Sequence, residues 1–192
     1  MSKLLVFLHG FGFDKNDNAP FIAALAKHLG ADVLAIDGPL PSHRERGGYA
    51  WYRIEREPRK HILDEKIKHS AKYIKDHVEK KLKERRLSWD DVVLCGRSQG
   101  GFMSVYMALT GWAKPKMVIS LCGLYPEEMR ADGLMNKDVP IVWIEAQNDD
   151  VLPDEHKESY RWLQDEGCKI KHIIAKNSDH NNLNIEEIEN II

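Results

Sequence analysis

Short, continuous apolar runs alternate along the chain with stretches whose apolar positions recur every three or four residues. The runs are Leu4–Leu8, Val33–Ile36, Val92–Cys95, Met117–Leu121, Ile141–Ile144 and Ile170–Ile174. Most lack the apolar–polar alternation of a half-exposed strand and read as strands covered on both faces of a parallel sheet. Between them the spacing predicts helices over Ala19–Leu29, Leu63–Arg86, Gly100–Thr110, Asp154–Glu166 and Ile185–Ile192. In the longest of these, Leu63, Ile67, Ala71, Ile74, Val78 and Leu82 form one apolar stripe. The order predicts an α/β fold, a mostly parallel six-stranded sheet with helices on both faces.

No repeat, low-complexity linker or shift in composition interrupts this rhythm, so residues 1–192 read as a single domain, for which 192 residues is a suitable length. The segment Gly123–Asp138 is too short for a helical cap domain. A formal net charge of −2 argues against a globally basic nucleic-acid binder. Locally, residues 56–86 hold twelve Lys/Arg against six Asp/Glu, a net +6. This is first of all a solvated helix surface; the sharper alternative is a docking face for an acidic partner or an anionic membrane. The three cysteines are widely spaced, with no CxxC or Cys/His cluster, so no metal site is expected and the thiols are expected to be reduced. Leu4–Leu8 is too short for a signal-peptide core or a membrane span, which makes the cytoplasm the expected location, without integral membrane association.

In a parallel α/β sheet the working site lies at the carboxyl ends of the strands. The first strand runs into His9-Gly10-Phe11-Gly12, the third into Gly96-Arg97-Ser98-Gln99-Gly100-Gly101, the fifth into Ala146-Gln147-Asn148-Asp149-Asp150 and the sixth into Asn177-Ser178-Asp179-His180. A serine, an aspartate and a histidine thus reach one edge of the sheet in that order.

Gly96-Arg97-Ser98-Gln99-Gly100 joins a strand to a helix, the setting in which GxSxG acts as a nucleophile turn. The serine must sit on a tight, strained turn with its hydroxyl exposed, and the flanking glycines let backbone approach closely. The helix that follows directs its positive end at a developing oxyanion. The Gln99 amide is the expected first oxyanion donor and the Phe11 amide, in the loop after the first strand, the second.

A serine nucleophile needs a base and a carboxylate to orient it. Of the histidines that follow Ser98, His156 lies in a helical pattern and His172 inside a strand facing a packed helix, whereas His180 lies in a polar loop. His180 is the expected base, and His9, which precedes the serine, is expected to be structural. The residue pattern leaves Asp149 and Asp150 as alternatives for the acid. Arg97 is expected to form a buried ion pair beneath the turn, the alternative being contact with an anionic substrate group.

These segments resemble the carboxylesterase/phospholipase-type α/β hydrolases that include the acyl-protein thioesterases. The resemblance rests on Leu8-His9-Gly10-Phe11-Gly12, Asp37-Gly38-Pro39, Ala50-Trp51-Tyr52-Arg53-Ile54, Gly96-Arg97-Ser98-Gln99-Gly100-Gly101, Asp149-Asp150-Val151-Leu152-Pro153 and Ser178-Asp179-His180. It implies an α/β-hydrolase fold of minimal size and a serine esterase or thioesterase with catalytic Ser98, Asp149 and His180. Asp149 is selected because the family's acid stands four residues before a proline, here Pro153. Phe11 and Gln99 match the oxyanion positions. Phe13, Trp51, Tyr52, Leu124 and Tyr125, with Phe11, are candidates to line an acyl pocket, the plain alternative being core packing. The implied substrate is a small ester or acyl thioester, an acylated protein included, with no cofactor. The chain departs from the pattern at Arg97, where the family has an aromatic or apolar residue, and at Glu145-Ala146, where it has His-Gly. The rival expectations are cleavage of another acyl or C–C bond, or a hydrolase-like binding protein without activity.

Overall fold

The computed structural model describes residues 3–43, 47–53, 64–152 and 155–184. Its elements are β1 (Lys3–Leu8), α1 (Ala19–Leu29), β2 (Ala31–Ile36), β3 (Leu40–Pro41), β4 (Tyr49–Ala50), α2 (Asp64–Arg85), β5 (Val92–Arg97), α3 (Gln99–Leu109), β6 (Met117–Leu121), β7 (Ile141–Ala146), α4 (Glu155–Asp165) and β8 (Ile170–Ala175). All six expected strands are present and form one sheet in the order β2-β1-β5-β6-β7-β8, every pair parallel. The helix expected over Ile185–Ile192 lies outside the described residues, as do Leu63 and Pro153.

Side chains of successive strand residues point to opposite faces, and the core divides accordingly. Leu4, Val6 and Leu8 of β1 pack on one side with Ile67, Ala71 and Ile74 of α2, Phe102 of α3 and Leu163 of α4. Leu5 and Phe7 pack on the other with Ile22, Leu25 and Ala26 of α1. The α2 stripe is where the spacing placed it: Ile67, Ala71, Ile74 and Val78 are wholly buried, and Leu82 nearly so. Each such branched side chain contributes about 1.5–3 kcal/mol relative to an exposed one. On the outer face Lys72 and Lys75 pair with Asp76 and Glu79 one turn on.

Burial on both faces holds for β1, β5, β6 and β7. The edge strands differ, with Val33 on β2 and Ile174 on β8 about half exposed, because an edge strand has a neighbour on one side only.

The order of the strands reverses at β1. The chain leaves β1 for β2 on one side and returns for β5 on the other, so a crevice opens between the loops that follow β1 and β5. A two-stranded hairpin, β3 with β4, lies across the first of these loops, tied to it by Gly12 N–H to the Tyr49 carbonyl (2.9 Å) and Tyr49 N–H to the Phe13 carbonyl (2.8 Å). This hairpin was not read from the sequence; its strands are two residues each.

Candidate active site

Ser98 stands at the β5–α3 junction with φ 50° and ψ −114°, a backbone region that L-residues rarely enter. Such a residue costs about 1–3 kcal/mol and persists only where its surroundings impose it. Here they do. A β-carbon on Gly96 would lie 2.1 Å from the Gly100 carbonyl oxygen, and one on Gly100 would lie 2.1 Å from that of Leu8. The two glycines let the first turn of α3 press against both β5 and β1. Ser98 N–H donates to the Leu121 carbonyl (2.8 Å) and its own carbonyl receives Phe102 N–H (3.0 Å). The residue itself stays partly exposed at the N-terminal end of α3.

The loop after β1 is built around His9, which is wholly buried. Its Nε2 accepts the Gly38 N–H at 2.8 Å, so the ring proton resides on Nδ1, 2.8 Å from the Gly10 carbonyl. Trp51 stacks on the imidazole and donates from Nε1 to the His9 carbonyl (2.8 Å). His9 is thus structural, as its position suggested. Gln99 joins this scaffold through its side chain. Its Oε1 accepts Trp51 N–H (2.9 Å) and its Nε2 donates to the Tyr52 carbonyl (2.7 Å). Phe11 follows in the same loop, half-buried.

His180 and Asp149 are brought together. His180 Nδ1 donates to Asp149 Oδ2 at 2.8 Å, with both side chains nearly buried. The other oxygen, Oδ1, accepts Val151 N–H (3.1 Å) and Leu152 N–H (3.2 Å). Burial alone would raise the Asp149 pKa; the His180 hydrogen bond and charge, helped by the two amides, outweigh it and hold the carboxyl below the usual aspartate range. Asp150 is exposed. The His180 loop is fastened to the turn after β7 by Asn148 N–H to the Ser178 carbonyl (3.0 Å), and internally by Asn184 N–H to Ser178 Oγ (2.9 Å). His172 stacks on Tyr160 of α4, ring centroids 3.8 Å apart, and its Nε2 lies 3.2 Å from buried Glu145.

Cys122, directly after β6, was read from the sequence only as one of three reduced thiols. Its sulfur, an Asp149 oxygen and a His180 nitrogen lie within 4.8 Å of one another. These three fit a metal poorly. The carboxylate and imidazole already bond each other, and burial, then the Asp149 charge, push the thiol pKa up to about 12, so a metal would have to displace both that hydrogen bond and the thiol proton. The signal that would have found Cys122 is its place at the carboxyl end of a central strand.

Arg97 corrects an expectation. It is 4% exposed, yet among the described residues no carboxylate lies at ion-pairing distance. Its Nε (3.2 Å) and Nη2 donate to the backbone carbonyl of His180, and Nη1 donates to Asn18 Oδ1. The acyl-pocket candidates divide. Trp51 and Tyr125 are wholly buried and Tyr52 nearly so, all three within the core. As placed, Trp51 and Tyr125 offer no surface to a ligand, because Phe102 and Trp162 pack on Tyr125 and His9 on Trp51. Phe13 and Leu124 are half-buried. A cavity of about 240 Å³ opens elsewhere, lined by Asn18, Phe21, Arg97, Leu121, Asn181 and Leu183 among others.

With this geometry in hand, comparison with known proteins decides the family. The family model described as Phospholipase/Carboxylesterase matches residues 1–188. The chain belongs to the phospholipase/carboxylesterase family. As a member it is a hydrolase of α/β-hydrolase fold, as the sequence motifs implied. Its fold is shared with esterase PE8 (TM-score 0.81, 23% identity, 98% of this chain and 90% of that one), with Arabidopsis thaliana SOBER1 (0.79, 17%, 99% and 97%) and with a Bacillus cereus carboxylesterase (0.77, 17%, 98% and 85%). At these identities the likeness to the three structures concerns the fold.

Proposed function

We propose that this phospholipase/carboxylesterase family member is a serine esterase that cleaves carboxylic esters or thioesters, with Ser98 as nucleophile, His180 as base and Asp149 as the acid that orients it. The observation that carries the reading is the 2.8 Å hydrogen bond from His180 Nδ1 to Asp149 Oδ2. It fixes the imidazole in the tautomer whose Nε2 is free to take a hydroxyl proton. Ser98 Oγ attacks the acyl carbon as its proton passes to His180 Nε2. The tetrahedral oxyanion accepts hydrogen bonds from the Phe11 and Gln99 amides at the positive end of α3. The imidazolium then protonates the departing alkoxide or thiolate. Water attacks the acyl-serine with the same base and releases the carboxylic acid. No cofactor enters these steps.

Residues 1–192 act as one domain in this reading, in the cytoplasm, where free Cys95, Cys122 and Cys168 stay reduced. Among the described residues no helix is long and apolar enough to cross a membrane. Phe11, Phe13 and Leu124 are the partly exposed apolar residues offered to an acyl chain, from a small ester, an acyl thioester or an acylated protein.

A fluorophosphonate probe tests the reading. The wild-type protein is expected to label on Ser98 and Ser98→Ala is not, and p-nitrophenyl esters or acyl thioesters are expected to turn over. A folded wild-type protein that neither labels nor hydrolyses any member of such a panel is a binding protein on a hydrolase scaffold, and the proposal fails.

A further inference from the structure

Arg97 is the last residue of β5 and the chain neighbour of Ser98, while His180 follows β8. Two strands, β6 and β7, lie between them in the sheet. The guanidinium nonetheless reaches the His180 loop. Two of its nitrogens, Nε and Nη2, converge on one acceptor, the backbone carbonyl oxygen of His180. Its third nitrogen, Nη1, is held by Asn18 Oδ1. Asn18 stands at the N-cap of α1 but makes no capping bond with its side chain; its oxygen is committed to Arg97 instead. Its Nδ2 is buried without a partner among the described residues, a cost incurred for that orientation.

A buried guanidinium with neutral partners is unfavourable compared with an apolar side chain of similar volume. It is tolerable here because Asp149, Asp179 and Asp17 stand near enough to attract the charge without touching it. What the arrangement supplies is a direct restraint. The bonds that tie the His180 loop to the turn after β7 fix the imidazole relative to Asp149. Relative to Ser98 those bonds act only through the ladders that run from β7 by way of β6 to β5. Arg97 adds a shorter link, because it is joined to the serine by one peptide unit and grips the histidine's own peptide carbonyl.

We infer that Arg97 is a positioning residue, setting the distance and direction of His180 toward Ser98 by clamping the His180 carbonyl to the nucleophile's strand. The inference rests on the reading of Ser98 and His180 given above. Two converging donors restrain both distance and direction; a single ammonium restrains less. Reactions that depend on near-attack geometry lose on the order of 10²-fold for a displacement of about 1 Å. All three guanidinium nitrogens are bonded to protein atoms, so loss of the clamp is expected to act on kcat and to leave KM nearly unchanged.

The test compares Arg97→Lys, Arg97→Met and Arg97→Ala with the wild type, using an ester that the wild type turns over and a thermal melt for each variant. The expected order of kcat is wild type, then Lys, then Met, the last lower by on the order of 10²-fold with KM within about twofold. Methylguanidinium, which the cavity beside Arg97 can admit, is expected to raise the kcat of Arg97→Ala at least about tenfold and to leave the wild type unaffected. A lost packing contact alone gives no such rescue. A folded Arg97→Met with wild-type kcat, or an Arg97→Ala that does not respond to methylguanidinium, overturns the inference. If Arg97→Met does not fold, Arg97→Lys decides in the same way, wild-type kcat counting against the clamp. Fluorophosphonate labelling keeps the two claims apart: no label on wild-type Ser98 removes the underlying reading, whereas normal labelling with indifferent Arg97 variants removes only this one.

Discussion

Gly100 sits so close to Leu8 that a β-carbon on it would lie 2.1 Å from the Leu8 carbonyl oxygen and 2.6 Å from that of His9. Both obstacles are backbone atoms of β1 and its exit, so no rotamer change relieves them. Gly100→Ala therefore has to push α3 away from β1. Its expected cost is at least the 1–3 kcal/mol or so of ordinary overpacking, read as a lower melting temperature. Gly10 is the control. A β-carbon there meets its nearest neighbour, the Ser98 β-carbon, at 3.5 Å, an ordinary contact, and Gly10→Ala is expected to melt close to the wild type.

Gln99 ties the segment after β4 to the Ser98 turn through Trp51 N–H and the Tyr52 carbonyl, both buried. Gln99→Ala leaves a buried donor and a buried acceptor without their partner, at about 1–3 kcal/mol each. Gln99→Glu restores an acceptor for Trp51 but sets a carboxylate against the Tyr52 carbonyl. Denaturant unfolding is expected to rank both variants below the wild type by at least about 2 kcal/mol.

His9 makes stability fall toward acid. Burial is the largest influence on its pKa and outweighs the Gly10 carbonyl and the charges of Asp37, Asp14 and Asp17, so the folded value lies below 6.5. Unfolded, the ring titrates near 6.5. Below that pH the unfolded chain binds a proton that the folded protein refuses, because Nε2 is occupied as an acceptor for Gly38. The His9 contribution is fully present above about pH 6.5 and is lost as pH falls toward the folded value, with a slope approaching about 1.4 kcal/mol per unit. In His9→Gln, unfolding free energy measured between about pH 7 and 5 is expected to fall less steeply than in the wild type. An equal slope in the two proteins counts against a neutral His9.

Asp149 and Asp150 are adjacent in sequence and opposite in setting, one bonded to His180 and the other exposed. Asp149→Asn is expected to reduce kcat on an ester by about 10⁴-fold, since an amide there favours the wrong histidine tautomer. Asp150→Asn is expected to keep kcat within about twofold, as a change at an exposed side chain away from the pair. The reverse ranking would give the acid role to Asp150.

Much of this was legible in the chain because local pattern and tertiary demand agreed. The run Leu4–Leu8 is a continuous apolar stretch too short for a membrane span and of the length of a buried strand, and Ile67, Ala71, Ile74 and Val78 face the sheet as their spacing requires. The order Ser98, Asp149, His180 along successive strand ends was visible because parallel topology sends every such end to one rim. The choice of Asp149 over its neighbour needed the family's proline register, since two adjacent carboxylates carry the same local signal. Arg97 was misread for a different reason. Its partner is a backbone carbonyl distant in sequence, and a carbonyl leaves no mark in a one-letter string. Trp51 and Tyr125 were likewise ambiguous, because an aromatic ring that lines a pocket and one that fills a core are the same residue in sequence. Val33 and Ile174 show the converse limit, apolar residues left half open on edge strands that have a neighbour on one side only.

The backbone angles at Ser98 carry a last implication, for anyone who improves this protein by selection. Glycine enters that region at no steric cost, so Ser98→Gly is expected to raise the melting temperature while it ends turnover. With Ser98 as the proposed nucleophile, a screen that scores only heat resistance will favour a substitution that turns a reagent into a scaffold, and the gain it records will measure the strain borne to keep a hydroxyl there.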